Sequence, residues 1–147
     1  PTAVSQIVLP ILSSTTDGEK FSKALLANIT LIGVVSVVVA VIISILSPYI
    51  IPLYGSSFDN QTPLMLLAAS TVFSSIANVI EMAVCSKEKM WQNFALNLVW
   101  ATIMIVCAQM NINKGATGLA LAVLISYAIK CILFSLYLKH INQHEDK

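Results

Sequence analysis

Arginine is missing from this sequence, and charged residues of all kinds make up only 10% of its 147 positions. A soluble domain carries about 25% charged residues. A chain this poor in charge, with 57% hydrophobic residues, belongs to the membrane class. Eight lysines against seven acidic residues leave a net charge of +1. No basic patch is there to neutralise phosphates, so nucleic acid is excluded as a partner. Cysteine is scarce as well. Cys85, Cys107 and Cys131 sit in or beside apolar segments with no CxxC spacing, which points to free thiols packed as small hydrophobes rather than a disulfide framework or a zinc site. There is no Ser/His/Asp set, no HExxH and no phosphate-cradling glycine loop in the apolar segments or their connections. His140 and His144 stand at i, i+4, too few ligands to hold a metal. The expectation is a transporter rather than an enzyme, with no catalytic residue, no metal and no cofactor.

What the chain does have is long apolar runs. Residues 115–138, GATGLALAVLISYAIKCILFSLYL, contain a single charge, Lys130. About 20 such residues span the hydrocarbon core as a helix. Three more runs, 24–46, 63–84 and 93–110, are of similar character. The first is dense in Val and Ile, a strand composition. Backbone groups in lipid must nevertheless be satisfied within the segment, so a helix is expected there too. Ser47-Pro48 marks its end, and Pro63 sits at a favoured first-turn position of the next. The predicted fold is an all-α integral membrane bundle of four complete transmembrane helices. Residues 1–12, ending in Leu-Pro-Ile-Leu, read as the end of a preceding helix, and 139–147 as a polar, mobile tail. On that reading the chain is the C-terminal part of one larger transmembrane domain.

Lysine placement orients the spans. The connections 13–23 and 85–92 and the tail 139–147 carry six lysines, whereas 48–62 and 111–115 carry only Lys114. The lysine-rich side, with the C-terminus, is expected to face the cytoplasm.

Within the last span Gly118, Ala122, Ser126 and Lys130 follow at i+4 and share one side of the helix. Small residues there allow close approach by a neighbouring helix or a cavity. Lys130 lies roughly 12 Å from the cytoplasmic end of its span at 1.5 Å per residue, too deep for easy snorkelling. Two readings stay open for it: a cation lining a polar cavity that binds an anionic group, or a lysine paired with a carboxylate or backbone carbonyls to fix packing. Glu81 is the one acidic residue inside a span, with Asn78 three positions earlier on the same face. Its two readings are an ion-coupling carboxylate and an interfacial glutamate reaching headgroup water, the second preferred. A pair with Lys130 would have to bridge about 7–8 Å of depth at 1.5 Å per residue. Asn97, like Asn28, Thr30 and Gln109, is either interhelical glue or a substrate contact.

An ordered series of short motifs runs through nearly the whole chain. It comprises Leu-Pro-Ile-Leu-Ser at 9–13, Ile-Ile-Pro-Leu-Tyr-Gly-Ser-Ser-Phe at 50–58, Lys-Glu-Lys at 87–89, Asn93 with Asn97, and Asn-Lys-Gly-Ala-Thr-Gly-Leu-Ala-Leu-Ala at 113–122. The series resembles the C-terminal third of the bacterial O-antigen or oligosaccharide flippases, in the superfamily that also holds multidrug extruders. The resemblance implies a twelve-helix parent with two six-helix lobes around a central cavity in the bacterial inner membrane. It also implies translocation of a polyprenyl-diphosphate-linked oligosaccharide, with membrane lipids and other polysaccharide-assembly proteins as further partners. In such a cavity Lys130 would meet the diphosphate, while Ser126, Asn78 and Asn97 would meet sugars. The alternatives are a drug/cation antiporter, which would use Glu81 as its ion site, and a membrane enzyme or structural subunit of polysaccharide assembly.

Overall fold

The computed structural model describes residues 18–51 and 61–145. Among these there is no strand, and four helices carry the chain: α1 (Gly18–Ile50), α2 (Thr62–Ser86), α3 (Met90–Met110) and α4 (Gly115–Glu145), with a 3-10 turn at Ile112–Lys114 between the last two. Each has a stretch long and apolar enough to cross a membrane: Ser22–Ile50, Thr62–Ser86, Met90–Met110 and Ile112–Asn142. The predicted preceding helix at 1–12, and residues 52–60 of the 48–62 connection, lie outside the described residues.

Two expected ends are corrected. The first helix continues through Ser47-Pro48 to Ile50. Pro48 removes only the bond that its own nitrogen would have donated one turn back, and it does so in the final turn, where little helix is left to break. The expected mobile tail from 139 is helical as far as Glu145. Ile141 is buried there and extends the inward stripe of α4 beyond the purely apolar run, which ends at the buried Leu138.

The helices form a row rather than a closed ring. α2 packs most extensively on α4, α1 packs on α2, and α3 packs on α4, while the backbones of α2 and α3 come close in few places although only three residues join them. The spatial order is therefore α1, α2, α4, α3. Small side chains let α2 and α4 come close: Ala77, Ala83, Ala120, Ala122 and Ser126 are all at most 1% exposed. At one end of this contact, Val79, Ile80 and Val84 meet Phe134 and Leu138, and Leu25 of α1 joins them. Cys131 Sγ also reaches the Phe73 carbonyl at 3.3 Å. The outward surface is apolar. Val34, Val38 and Ile42 of α1 and Phe94, Leu98 and Ile105 of α3 are exposed, and α3 has no buried residue. A surface of that kind is stable against lipid or further helices, not against water.

Gly118 has a specific task at the top of α4. A Cβ there would overlap the Asn111 carbonyl oxygen and lie 2.9 Å from Lys114 Cβ. The close approach that this glycine allows is by the preceding turn, not by a neighbouring helix as the i+4 stripe implied.

The turn between α2 and α3 contains the one non-glycine residue among the described residues with positive φ, Glu88 at 59°. Its amide donates to the Cys85 carbonyl at 3.0 Å, and Lys87 donates to Val84 at 3.3 Å, which closes the end of α2. A left-handed conformation costs an L-residue about 1–2 kcal/mol that glycine avoids. Glu88→Gly is therefore expected to raise the unfolding midpoint in detergent, by about 1 kcal/mol in stability. A thermal unfolding curve on purified protein checks this; an unchanged or lower midpoint counts against the assignment.

Candidate functional site

The polar centre of the molecule lies where α2, α3 and α4 converge. α4 presents Gly118, Ala122, Ser126, Lys130, Phe134 and Leu138 at i+4, and every one of them is buried. That stripe carries Lys130 inward. Its Nζ lies 2.8 Å from Glu81 Oε2 of α2, with side-chain exposures of 6% and 21%. The other carboxylate oxygen, Oε1, accepts from Asn97 Nδ2 of α3 at 2.7 Å and from Asn93 Nδ2 at 3.3 Å. Asn97 Nδ2 also lies 3.1 Å from the Asn93 carbonyl, and Asn93 Nδ2 lies 3.1 Å from Cys85 Sγ. Helical spacing explains the convergence: Asn93, Asn97 and Trp100 fall at i, i+4 and i+7 on α3, on one face.

Aromatic rings complete the surroundings of the ammonium. Nζ stands 4.8 Å from the centroid of Trp100 and 5.3 Å from that of Phe134, both within cation–π range. Tyr127 packs against Trp100 with centroids 5.2 Å apart. The indole N–H of Trp100 is buried without a partner among the described residues. Burial of a full charge is tolerated only with a partner and further hydrogen bonds, and this cluster supplies both.

The sequence candidates are thus divided among three places. Lys130, Glu81 and Asn97 come together in one network. Lys130 and Glu81 meet despite the depth offset expected from the apolar runs, so Glu81 is held inward by α3 and α4 rather than turned to the headgroups. Ser126 is fully buried next to them in the α2–α4 contact, and its hydroxyl donates to the Ala122 carbonyl at 2.6 Å, a backbone bond within its own helix. Asn78 does not share the face of Glu81. It lines a groove between α1 and α2, because a three-residue step turns a helix by about 60° short of a full circle and α2 has a different neighbour on each side.

The aromatic neighbours Trp100, Tyr127 and Phe134 were not among the candidates. The spacing of Trp100 behind Asn93 and Asn97, and of Phe134 four positions after Lys130, was the available signal. The described residues contain no group of three or more His, Cys, Asp or Glu that could hold a metal. Chemically, the arrangement is an ammonium and a carboxylate that neutralise each other, tied to a third helix by two amides. No family model, curated protein or solved structure matches this chain.

Proposed function

We propose that the chain is the membrane-embedded C-terminal part of a flippase that moves polyprenyl-diphosphate-linked oligosaccharides across the bacterial inner membrane by alternating access. The observation that carries this reading is the charged, amide-rich network of Lys130, Glu81 and Asn97 within helices otherwise built for lipid. Ionisable residues at such depth mark transport pathways. The ordered motif series supports the substrate class, and the lysine bias of the connections supports a cytoplasmic C-terminus. In this reading the Lys130–Glu81 pair is the resting state. The diphosphate draws Lys130 away from Glu81 during transport, with Asn97 holding the carboxylate meanwhile. Rigid rocking of repeat-built lobes would supply the motion.

One other reading has a specific observation in its favour. Because the ammonium is already neutralised by Glu81 at 2.8 Å, Lys130 would serve packing alone in a non-transporting helical subunit. The antiporter reading is weaker, since both oxygens of Glu81 already have protein donors.

Deletion of the gene followed by restoration separates these readings. Surface polysaccharide and cytoplasmic-side lipid-linked repeat units would be followed, with protein abundance read by blotting. Loss of surface glycan on deletion, and again with the charge-free double variant Lys130→Met with Glu81→Gln at normal abundance, is the result expected of a flippase. Intact surface glycan on deletion would remove the proposal. Full surface glycan in that double variant would assign the pair to packing.

A further inference from the structure

One polar atom of the central network is left unanswered. The indole N–H of Trp100 is buried without a hydrogen-bond partner among the described residues. A buried donor without an acceptor is costly, more so at membrane depth where water is not at hand. Its neighbours do not answer it. Lys130, whose Nζ stands over the same ring at 4.8 Å from its centroid, carries donors only. Both oxygens of Glu81 are engaged, Oε2 by Lys130 and Oε1 by Asn97 and Asn93. The network thus holds more donors than its one carboxylate answers. Nor does the ammonium need this particular ring for its cation–π contact alone, since Phe134 offers a second face at 5.3 Å. What tryptophan adds over phenylalanine here is a larger ring and a donor.

We infer that Trp100 is a specificity-determining residue of this site, its indole N–H donating to one oxygen of a lipid diphosphate while Lys130 pairs with another. The inference rests on the flippase reading and names the group that recognises the substrate beside Lys130. An oxyanion supplies what the site is short of, since it brings acceptors and no donors. The ammonium stands over the face of the ring, whereas the N–H lies in the ring plane. The two donors therefore call for two oxygens rather than one, and a diphosphate carries several. Lys130 reaches them on a flexible four-carbon stem. Glu81 is not stranded when it does so, because Asn97 and Asn93 remain on Oε1. Tyr127, packed on Trp100 with centroids 5.2 Å apart, holds the indole in place from its own side of α4.

The test uses the full chain in detergent micelles, with tryptophan labelled by nitrogen-15 and farnesyl diphosphate as the probe. Trp91→Phe removes an 82% exposed ring that meets Phe94 edge-on and leaves Trp100 as the single indole, since the sequence holds two tryptophans. Before addition its indole proton is expected at the position of an unbonded N–H. Farnesyl diphosphate should move it downfield, saturably, and farnesol should leave it in place. The same shift with inorganic pyrophosphate alone would support the donor role and assign the oxyanion, rather than the lipid, as the bound species. Trp100→Phe keeps a ring without the donor and is expected to weaken farnesyl diphosphate binding about tenfold, as loss of one hydrogen bond to a charged group does. Lys130→Met with Glu81→Gln should abolish the binding. Should Trp100→Phe not fold, the indole resonance in the Trp91→Phe protein still decides. A resonance already at the bonded position before addition means that water or a protein acceptor answers the indole, and overturns the inference. Binding of farnesyl diphosphate with no indole shift and undiminished affinity in Trp100→Phe overturns it while leaving the flippase reading intact. Absence of diphosphate binding in every form removes both this inference and the substrate role of Lys130.

Discussion

Lys130→Ala is expected to destabilise the folded chain by about 3 kcal/mol, because it leaves the Glu81 carboxylate at a three-helix junction with amide donors only. The loss comes from stranding one charge, not from forgoing the attraction between two. Glu81 keeps the Asn97 bond at 2.7 Å and about a fifth of its side-chain surface, which places the estimate at the lower end of the usual 3–5 kcal/mol. Removing both charges together is expected to do far less harm. Lys130→Met with Glu81→Gln retains the stem packing against Trp100 and Phe134 and an acceptor for Asn97. The double variant should lie within about 1 kcal/mol of the parent, since apolar replacement of a buried pair is often neutral or better. A double-mutant cycle read by unfolding in detergent checks the claim. Additive losses, with the double variant the worst of the set, would show that the two residues act independently. The cycle also bears on the proposed function. If the double variant is as stable as the parent but transports nothing, the charges serve transport; if transport survives as well, they serve assembly.

Gly118→Ala is expected to cost about 3 kcal/mol, the upper end of ordinary overpacking, although alanine is the better helix former. The added methyl would overlap the Asn111 carbonyl oxygen. Backbone cannot swing away as the end of a flexible side chain can. The turn Ile112–Lys114 would lift, and with it the Lys114 amide bond to Asn111 at 3.0 Å. Gly33 provides the internal comparison. A Cβ there would meet only Ile76 Cδ1, at 3.9 Å, an ordinary contact. Gly33→Ala should thus be neutral or stabilising by about 0.5–1 kcal/mol. Unfolding midpoints for the two variants should move in opposite directions. A shift in the same direction for both would mean that general helix propensity governs, and the turn does not press on Gly118.

The i+4 stripe of α4 was legible without coordinates. Ala122, Ser126 and Lys130 face inward because a 3.6-residue period fixes their angular positions on any helix, whereas Gly118 meets the preceding turn. The four membrane-length segments were legible for the same kind of reason, since hydropathy and length are local properties. Axial offset between helices is not local. The depths of Glu81 and Lys130 were reckoned from the ends of apolar runs, yet α4 continues to Glu145, so the apolar edge was a poor mark for the helix end. Which neighbour each face meets is equally hidden. Asn78 and Glu81 look like one face on an isolated α2, and they part company only because α1 lies on one side and α4 on the other. The placing of α4 between α2 and α3 had no signature in residue order, since consecutive helices usually pack side by side.

That interleaved order bears on how the chain is made. Glu81 and Lys130 are 49 positions apart, and at about 5–20 residues per second of synthesis roughly 2–10 s pass between them. Whenever the glutamate emerges, its lysine is still 49 positions behind it. Asn93 and Asn97 emerge first and are the first donors that the carboxylate meets, arriving on the hairpin formed with α3. α2 and α3 leave a gap between them, and α4 enters it last. In order of synthesis Asn93 and Asn97 are thus the first partners available to the carboxylate, and Lys130 is the last.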